Sequence, residues 1–151
     1  MLRIKVSLSI LLFLFPAFSV ADIDFSKVEQ YAMLASLAYE PSDKLASQIK
    51  ETDYILQRQK ELTETLVSYF LVEKENIQVL AIRGTANLEN VLVDLDIQLK
   101  SDDKLGIDLH QGFSSAALAI YTDVKPLLSA SKPIVTTGHS LGGAVALILA
   151  M

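Results

Sequence analysis

Thr136-Thr137-Gly138-His139-Ser140-Leu141-Gly142-Gly143-Ala144-Val145-Ala146-Leu147-Ile148-Leu149-Ala150 is the stretch on which the reading of this chain turns. A β-branched run enters it, Gly-x-Ser-x-Gly stands at its centre, and an apolar helix former leaves it. Strand, sharp turn and helix in that order make a nucleophile elbow, the turn that presents a reactive serine. The glycines have a steric reason: the residues two before and two after the serine come very close, so Gly138 and Gly142 carry no side chain. Ser140 is then the candidate nucleophile. The backbone N–H of Leu141, first residue of the helix, points toward a developing oxyanion, and the helix N-terminus favours negative charge there. A bare Gly-x-Ser-x-Gly arises by chance in roughly one chain in twenty of this length, and the strand-before, helix-after context makes chance several-fold rarer.

Upstream of the elbow, Phe113, Ala117, Ile120, Tyr121, Val124, Leu127 and Leu128 fall at helical spacing. Pro126 should end or kink that helix near Val124. Ser101 to Lys104 reads as a turn or loop tip, and residues 87–95 as a short helix with Leu88, Val91, Leu92 and Leu95 on one face. Thr65 to Val72 and Ile77 to Ile82, separated by Lys74-Glu75-Asn76, predict an antiparallel hairpin. Residues 42–62 are polar and mixed, which predicts one or two short helices and a loop. Val28, Tyr31, Ala32, Ala35 and Ala38 predict an amphipathic helix over 27–39, with Asp24 or Ser26 as its N-cap and Pro41 beyond its end. Strands and helices alternating with short connectors favour an α/β sheet over a sandwich.

The first residues are of another kind. Arg3 and Lys5 precede an almost wholly apolar run from Val6 to Phe18, and Ser19-Val20-Ala21 is a small-x-small triplet. This three-part layout predicts a secretory signal peptide over 1–21, and hence export to the periplasm or the medium. The apolar run is shorter than the roughly 20 residues of a membrane span, and Pro16 interrupts it. The leader holds no acid, so residues 22–151 carry 11 basic and 18 acidic residues, a net charge of −7. That balance argues against nucleic acid and against strong attraction to anionic lipid. There is no cysteine, which excludes disulfides and thiol-based metal or redox sites.

Ala81-Ile82-Arg83-Gly84-Thr85 is a second chemical element, a strand running into a Gly-Thr turn. Thr85 could supply the second oxyanion donor through its N–H and its hydroxyl. The alternative is a strand end closed by glycine, with Thr85 capping the next helix. Taken with Leu109-His110-Gln111-Gly112-Phe113 and Gly-His-Ser-Leu-Gly-Gly, this element resembles the class 3 lipase family, the fungal lipase-like α/β hydrolases. Four of that family's features occur in order over about residues 79–150. The resemblance implies Ser140 as nucleophile, Thr85 and the Leu141 N–H as oxyanion donors, and residues 87–95 as lid or lid hinge. It implies acylglycerols or related lipid esters as substrate, transient contact with a lipid interface, and no cofactor or metal. His110 matches the family's non-catalytic histidine and reads as structural.

The family's catalytic aspartate and histidine follow the nucleophile. Eleven residues follow Ser140 here, none of them acidic or histidine. His139 adjoins Ser140, so its side chain should point away from the hydroxyl and into a hydrogen bond under the sheet. Ala144 to Met151 is apolar on every face, as in a helix that is covered on all sides. The expectation is a partial α/β-hydrolase sheet over 22–151, cut off after the elbow helix and poorly active alone. A non-catalytic exported remnant or binding module, and a thioesterase or acyltransferase on the same elbow, stay open as alternatives. Asp94 reads as a buried structural carboxylate, and Asp96, Asp102, Asp103 and Asp108 as solvated loop charges without the glycine and glutamate of a calcium loop. Ser101-x-x-Lys104 matches a penicillin-recognition pattern but lacks its companions.

Overall fold

The computed structural model describes residues 23–63, 65, 67–84, 99–102 and 107–151, with the backbone alone for 99, 100, 102 and 107–110. The elements run α1 (Phe25–Leu37), α2 (Ser42–Lys50), β1 (Ile55–Leu62), β2 (Val67–Lys74), β3 (Ile77–Ile82), β4 (Leu99–Asp102), β5 (Ile107–His110), α3 (Gln111–Val124), a 3-10 turn (Lys125–Leu127), β6 (Ile134–Gly138) and α4 (Leu141–Leu149). Among the described residues the main sheet has the order β1-β2-β3-β6, and β4 pairs with β5 apart from it. The β1–β2 and β2–β3 pairs are antiparallel, while β3 and β6 run parallel, from Gln78 opposite Ile134 to Ile82 opposite Gly138. A parallel pair needs a long crossover, and α3 lies within this one.

Alternation along the strands sorts the core into two layers. Tyr69 and Leu71 of β2 and Leu80 and Ile82 of β3 face Ala117, Ile120 and Val124 of α3 and Val145 of α4. Phe70, Val72, Val79 and Ala81 face the other way, onto Leu34 of α1 and Leu45 and Ile49 of α2. Strand β6 ties both layers to itself through its threonines. Thr136 Oγ1 donates to the Ala146 carbonyl at 2.8 Å, and Thr137 Oγ1 donates to the Tyr31 carbonyl at 3.1 Å. The sheet is thus covered by helices on both faces, an α/β fold of the kind expected.

Most of the predicted elements are present. The hairpin closes at Glu75, whose φ of 49° tightens the two-residue link to Ile77. Asp24 caps α1, accepting from the Lys27 N–H at 3.3 Å. Helix α3 ends at Val124, with Pro126 in the 3-10 turn that follows. Two expectations fail. Residues 42–62 hold one helix and then strand β1, where a loop was expected. As an edge strand β1 buries little, and its register shifts between Leu56 and Arg58, so its alternation is hidden beneath charge. Ser101 and Asp102, read as part of a loop tip, are paired in strand β4. In α1 the buried stripe is Leu34, Ala35 and Ala38, while Val28 and Ala32 are exposed. The expected leader, the helix expected at 87–95 and residues Asp94, Asp96, Asp103 and Lys104 lie outside the described residues. Among the described residues no helix is long and apolar enough to cross a membrane.

Candidate active site

Strand β6 ends at Gly138 and α4 begins at Leu141, so two residues make the whole turn. Ser140 sits at φ 56° and ψ −127°, a backbone conformation that non-glycine residues rarely adopt. Such a geometry costs on the order of 1–3 kcal/mol and persists only where its surroundings impose it. Here three bonds do so: Gly142 N–H donates to His139 O at 3.0 Å, and Gly143 and Ala144 N–H donate to Ser140 O at 2.9 and 3.3 Å. The Ser140 side chain is exposed and does not cap the helix. Its hydroxyl is left at the N-terminus of α4, where the helix dipole favours an anion.

Three glycines let the turn close. A side-chain carbon on Gly138 would overlap the backbone of Gly142, and one on Gly142 would overlap Ile82 O and approach Arg83 C and Gly84 N to 2.9 Å. A carbon on Gly84 would overlap His139 O and come within 2.5 Å of the Tyr39 hydroxyl. The end of β3 is therefore pressed against the elbow, with glycine on both sides of the contact. Gly84 leads directly into Thr85, which lies outside the described residues. Leu141, the other residue expected to donate, opens α4 and is half-buried.

The imidazole of His139 meets Tyr39, with Nδ1 3.1 Å from the phenol oxygen and the rings edge-on at 6.0 Å between centroids. Tyr39 lies just beyond α1, so His139 is bonded across the α1 face of the sheet rather than to Ser140. His110 ends β5, immediately before α3, where only the backbone is described. Beside the elbow an open groove of about 640 Å³ runs between α1 and β6. Val28, Tyr31, Ala32 and Ala35 line one side, and Thr136 to His139 the other.

A half-buried charge that was not anticipated lies in the opposite layer. Asp123 of α3 accepts from Arg58 through Nε at 3.0 Å and Nη2 at 2.9 Å, and also from Lys60 and the Tyr69 hydroxyl. The hydrogen bonds of Arg58, Lys60 and Tyr69 hold its carboxyl well below the usual carboxylate range. Burial, reinforced by the Asp123 carboxylate, pushes the Tyr69 phenol up to about 12. The cluster bolts the edge strand to α3 and is structural. Its signal in the sequence is faint: one acid within an apolar helical stripe, and two cations two residues apart. Among the described residues no three of His, Asp and Glu converge as a metal would require.

Residues 79–151, just under half of the chain, match the family described as Lipase (class 3). A secreted mono- and diacylglycerol lipase of Fusarium solani is 35% identical over 79 residues, covering 48% of this chain and 24% of that protein. The crystal structure of a lipase from Rhizopus microsporus var. chinensis superposes with a TM-score of 0.67 at 23% identity, covering 82% of this chain and 48% of the other. The Lip2 lipase of Yarrowia lipolytica does so with a TM-score of 0.67 at 24% identity, over 83% and 52%. The fold is thus that of the fungal lipases, in part. The chain spans about a quarter of the curated relative and about half of each of these solved structures.

Proposed function

We propose, from the premise that the chain is class 3 lipase-like over residues 79–151, that it forms the nucleophile-bearing part of an exported serine ester hydrolase acting on acylglycerols or related lipid esters. The observation that carries the reading is the strained, exposed Ser140 at the N-terminus of α4, held where β3 presses on the elbow. Backbone strain of that kind clusters at active sites, which favours a reacting serine over a passive one. In the proposed reaction Ser140 Oγ attacks the ester carbonyl, a histidine takes its proton, and the alcohol leaves with that proton. Water then releases the fatty acid from the acyl-serine. Thr85 and the Leu141 N–H receive the oxyanion at both tetrahedral stages. The histidine and its carboxylate are proposed to come from the half of the lipase fold that these 151 residues do not span. No cofactor enters the reaction.

Export rests on the leader-like residues 1–21 and on the secreted Fusarium relative. Water-insoluble substrate puts the working site at a lipid interface, and residues 87–95 are proposed as the segment that covers it. The test is hydrolysis of emulsified acylglycerol and of a short-chain nitrophenyl ester by the protein as its gene encodes it. Ser140→Ala should lower kcat by at least about a thousandfold with little change in KM. Hydrolysis that survives the substitution would refute the assignment. Thioester turnover far above ester turnover would move the reading to a thioesterase on the same elbow.

A further inference from the structure

Tyr39 follows α1 and touches both segments that flank the nucleophile. Its hydroxyl lies 3.1 Å from Nδ1 of His139, the residue before Ser140. The same hydroxyl lies against Gly84, where a side-chain carbon would come within 2.5 Å of it. The Arg83 guanidinium carbon stands 6.0 Å from the centre of its ring. One phenol therefore contacts the strand end that leads into residue 85 and the turn that carries Ser140. Its own position is fixed from behind. Leu34, Ala35 and Ala38 are buried, and the Thr137 hydroxyl holds the Tyr31 carbonyl. The N–H groups of Ala38, Tyr39 and Glu40 are all bonded back into the end of the helix at 3.0–3.2 Å.

We propose that Tyr39, acting through His139 and Gly84, is a positioning residue that fixes the gap between the end of β3 and the Ser140 turn. It thereby sets the spacing of the oxyanion donors that the two segments carry; the inference rests on the acyl-transfer reading of Ser140. The glycines remove side chains that would wedge the gap open, so they set its lower limit. They supply no attraction across it. Beyond the β3–β6 ladder, which ends at Ile82 and Gly138, the Tyr39 hydroxyl packs against Gly84 and tethers His139, and its bond to Nδ1 forms with either imidazole tautomer, as donor to Nδ1 or as acceptor from Nδ1–H. Packing alone would need the ring and not the hydroxyl. Donors on separate segments must be held to about 0.5 Å to serve one oxyanion. Because the oxyanion exists only in the transition state, an error in that spacing appears in kcat and not in KM.

The test uses the protein as its gene encodes it and compares wild type, Ser140→Ala, Tyr39→Phe, His139→Phe, His139→Asn and the Tyr39→Phe/His139→Phe double variant. Asparagine places an amide oxygen near the position of Nδ1 and so keeps a partner for the phenol. Tyr39→Phe should lower kcat about tenfold, with KM and Tm unchanged. His139→Phe should lose as much, His139→Asn should recover most of it, and the double variant should lose no more than either single one. A Tyr39→Phe protein with wild-type kcat, a kcat loss that tracks a fall in Tm, or additive losses in the double variant would overturn the inference while leaving Ser140 as nucleophile. Wild-type protein without Ser140-dependent hydrolysis would overturn the acyl-transfer reading, and the role of Tyr39 with it.

Discussion

Single residues divide here into those whose chemistry can be read from their neighbours in sequence and those whose partners come from far along the chain. Ser140, Gly138 and Gly142 are of the first kind, because an elbow is a local object and its sterics repeat wherever strand, turn and helix meet so tightly. Tyr39 and Asp123 are of the second. Tyr39 meets His139 across 100 positions, and Asp123 meets Arg58 across 65, so no local pattern announces either. Asp123 carries a prediction of its own. Its carboxyl is held well below the usual range, so the stability it adds is present above the unfolded value near 4 and is lost as pH falls below it. Asp123→Asn should cost about 2 kcal/mol at pH 7. Urea unfolding should show the difference from wild type shrinking below about pH 4. Tyr69 works in the other direction: with its phenol pushed up to about 12, its contribution should fade between about pH 10 and 12.

Elements with a strong period were legible, and those that trade burial for charge were not. The β2–β3 hairpin and α3 declare themselves because their buried sides recur every second or every third to fourth residue. Strand β1 does not, since its side chains at Arg58 and Lys60 are spent on Asp123 and its apolar residues are few. In α1 the periodicity was read correctly but its face only in part. Val28 and Ala32 belong to the groove beside β6 and not to the closed core. The contact between the β3 end and the elbow makes a graded prediction. Gly142→Ala drives a carbon into Ile82 O, whereas a carbon on Gly143 would meet Gly138 O at 3.1 Å, a lesser intrusion. Gly142→Ala should therefore cost about 1–3 kcal/mol and abolish turnover, with Gly143→Ala well below it in both. Thermal unfolding and kcat on the two variants check the order.

At the scale of the whole molecule, the sheet of the described residues ends in β1 on one side and in β6 on the other. Strand β1 closes its edge with charge, but β6 has a partner on one side only among the described residues, and Ile134, Leu147 and Met151 are exposed. An unblocked edge beside exposed apolar side chains is a template for association. Purified as residues 22–151, the protein should self-associate in sedimentation experiments, and Ile134→Lys should shift it toward monomer. The same residues alone should show little ester turnover, because no histidine or acid follows Ser140 in them. The fold class was legible at this scale because helices and strands alternate. The groove between α1 and β6 was not, because it is made by two elements about a hundred residues apart. The central claim is that Ser140 is the nucleophile, and covalent capture tests it most directly. The gene-encoded protein, reacted with a p-nitrophenyl alkylphosphonate and mapped by peptide mass spectrometry, should carry one phosphonyl group on Ser140, with loss of activity in step. An adduct on another residue, or inactivation that proceeds unchanged in Ser140→Ala, would contradict it.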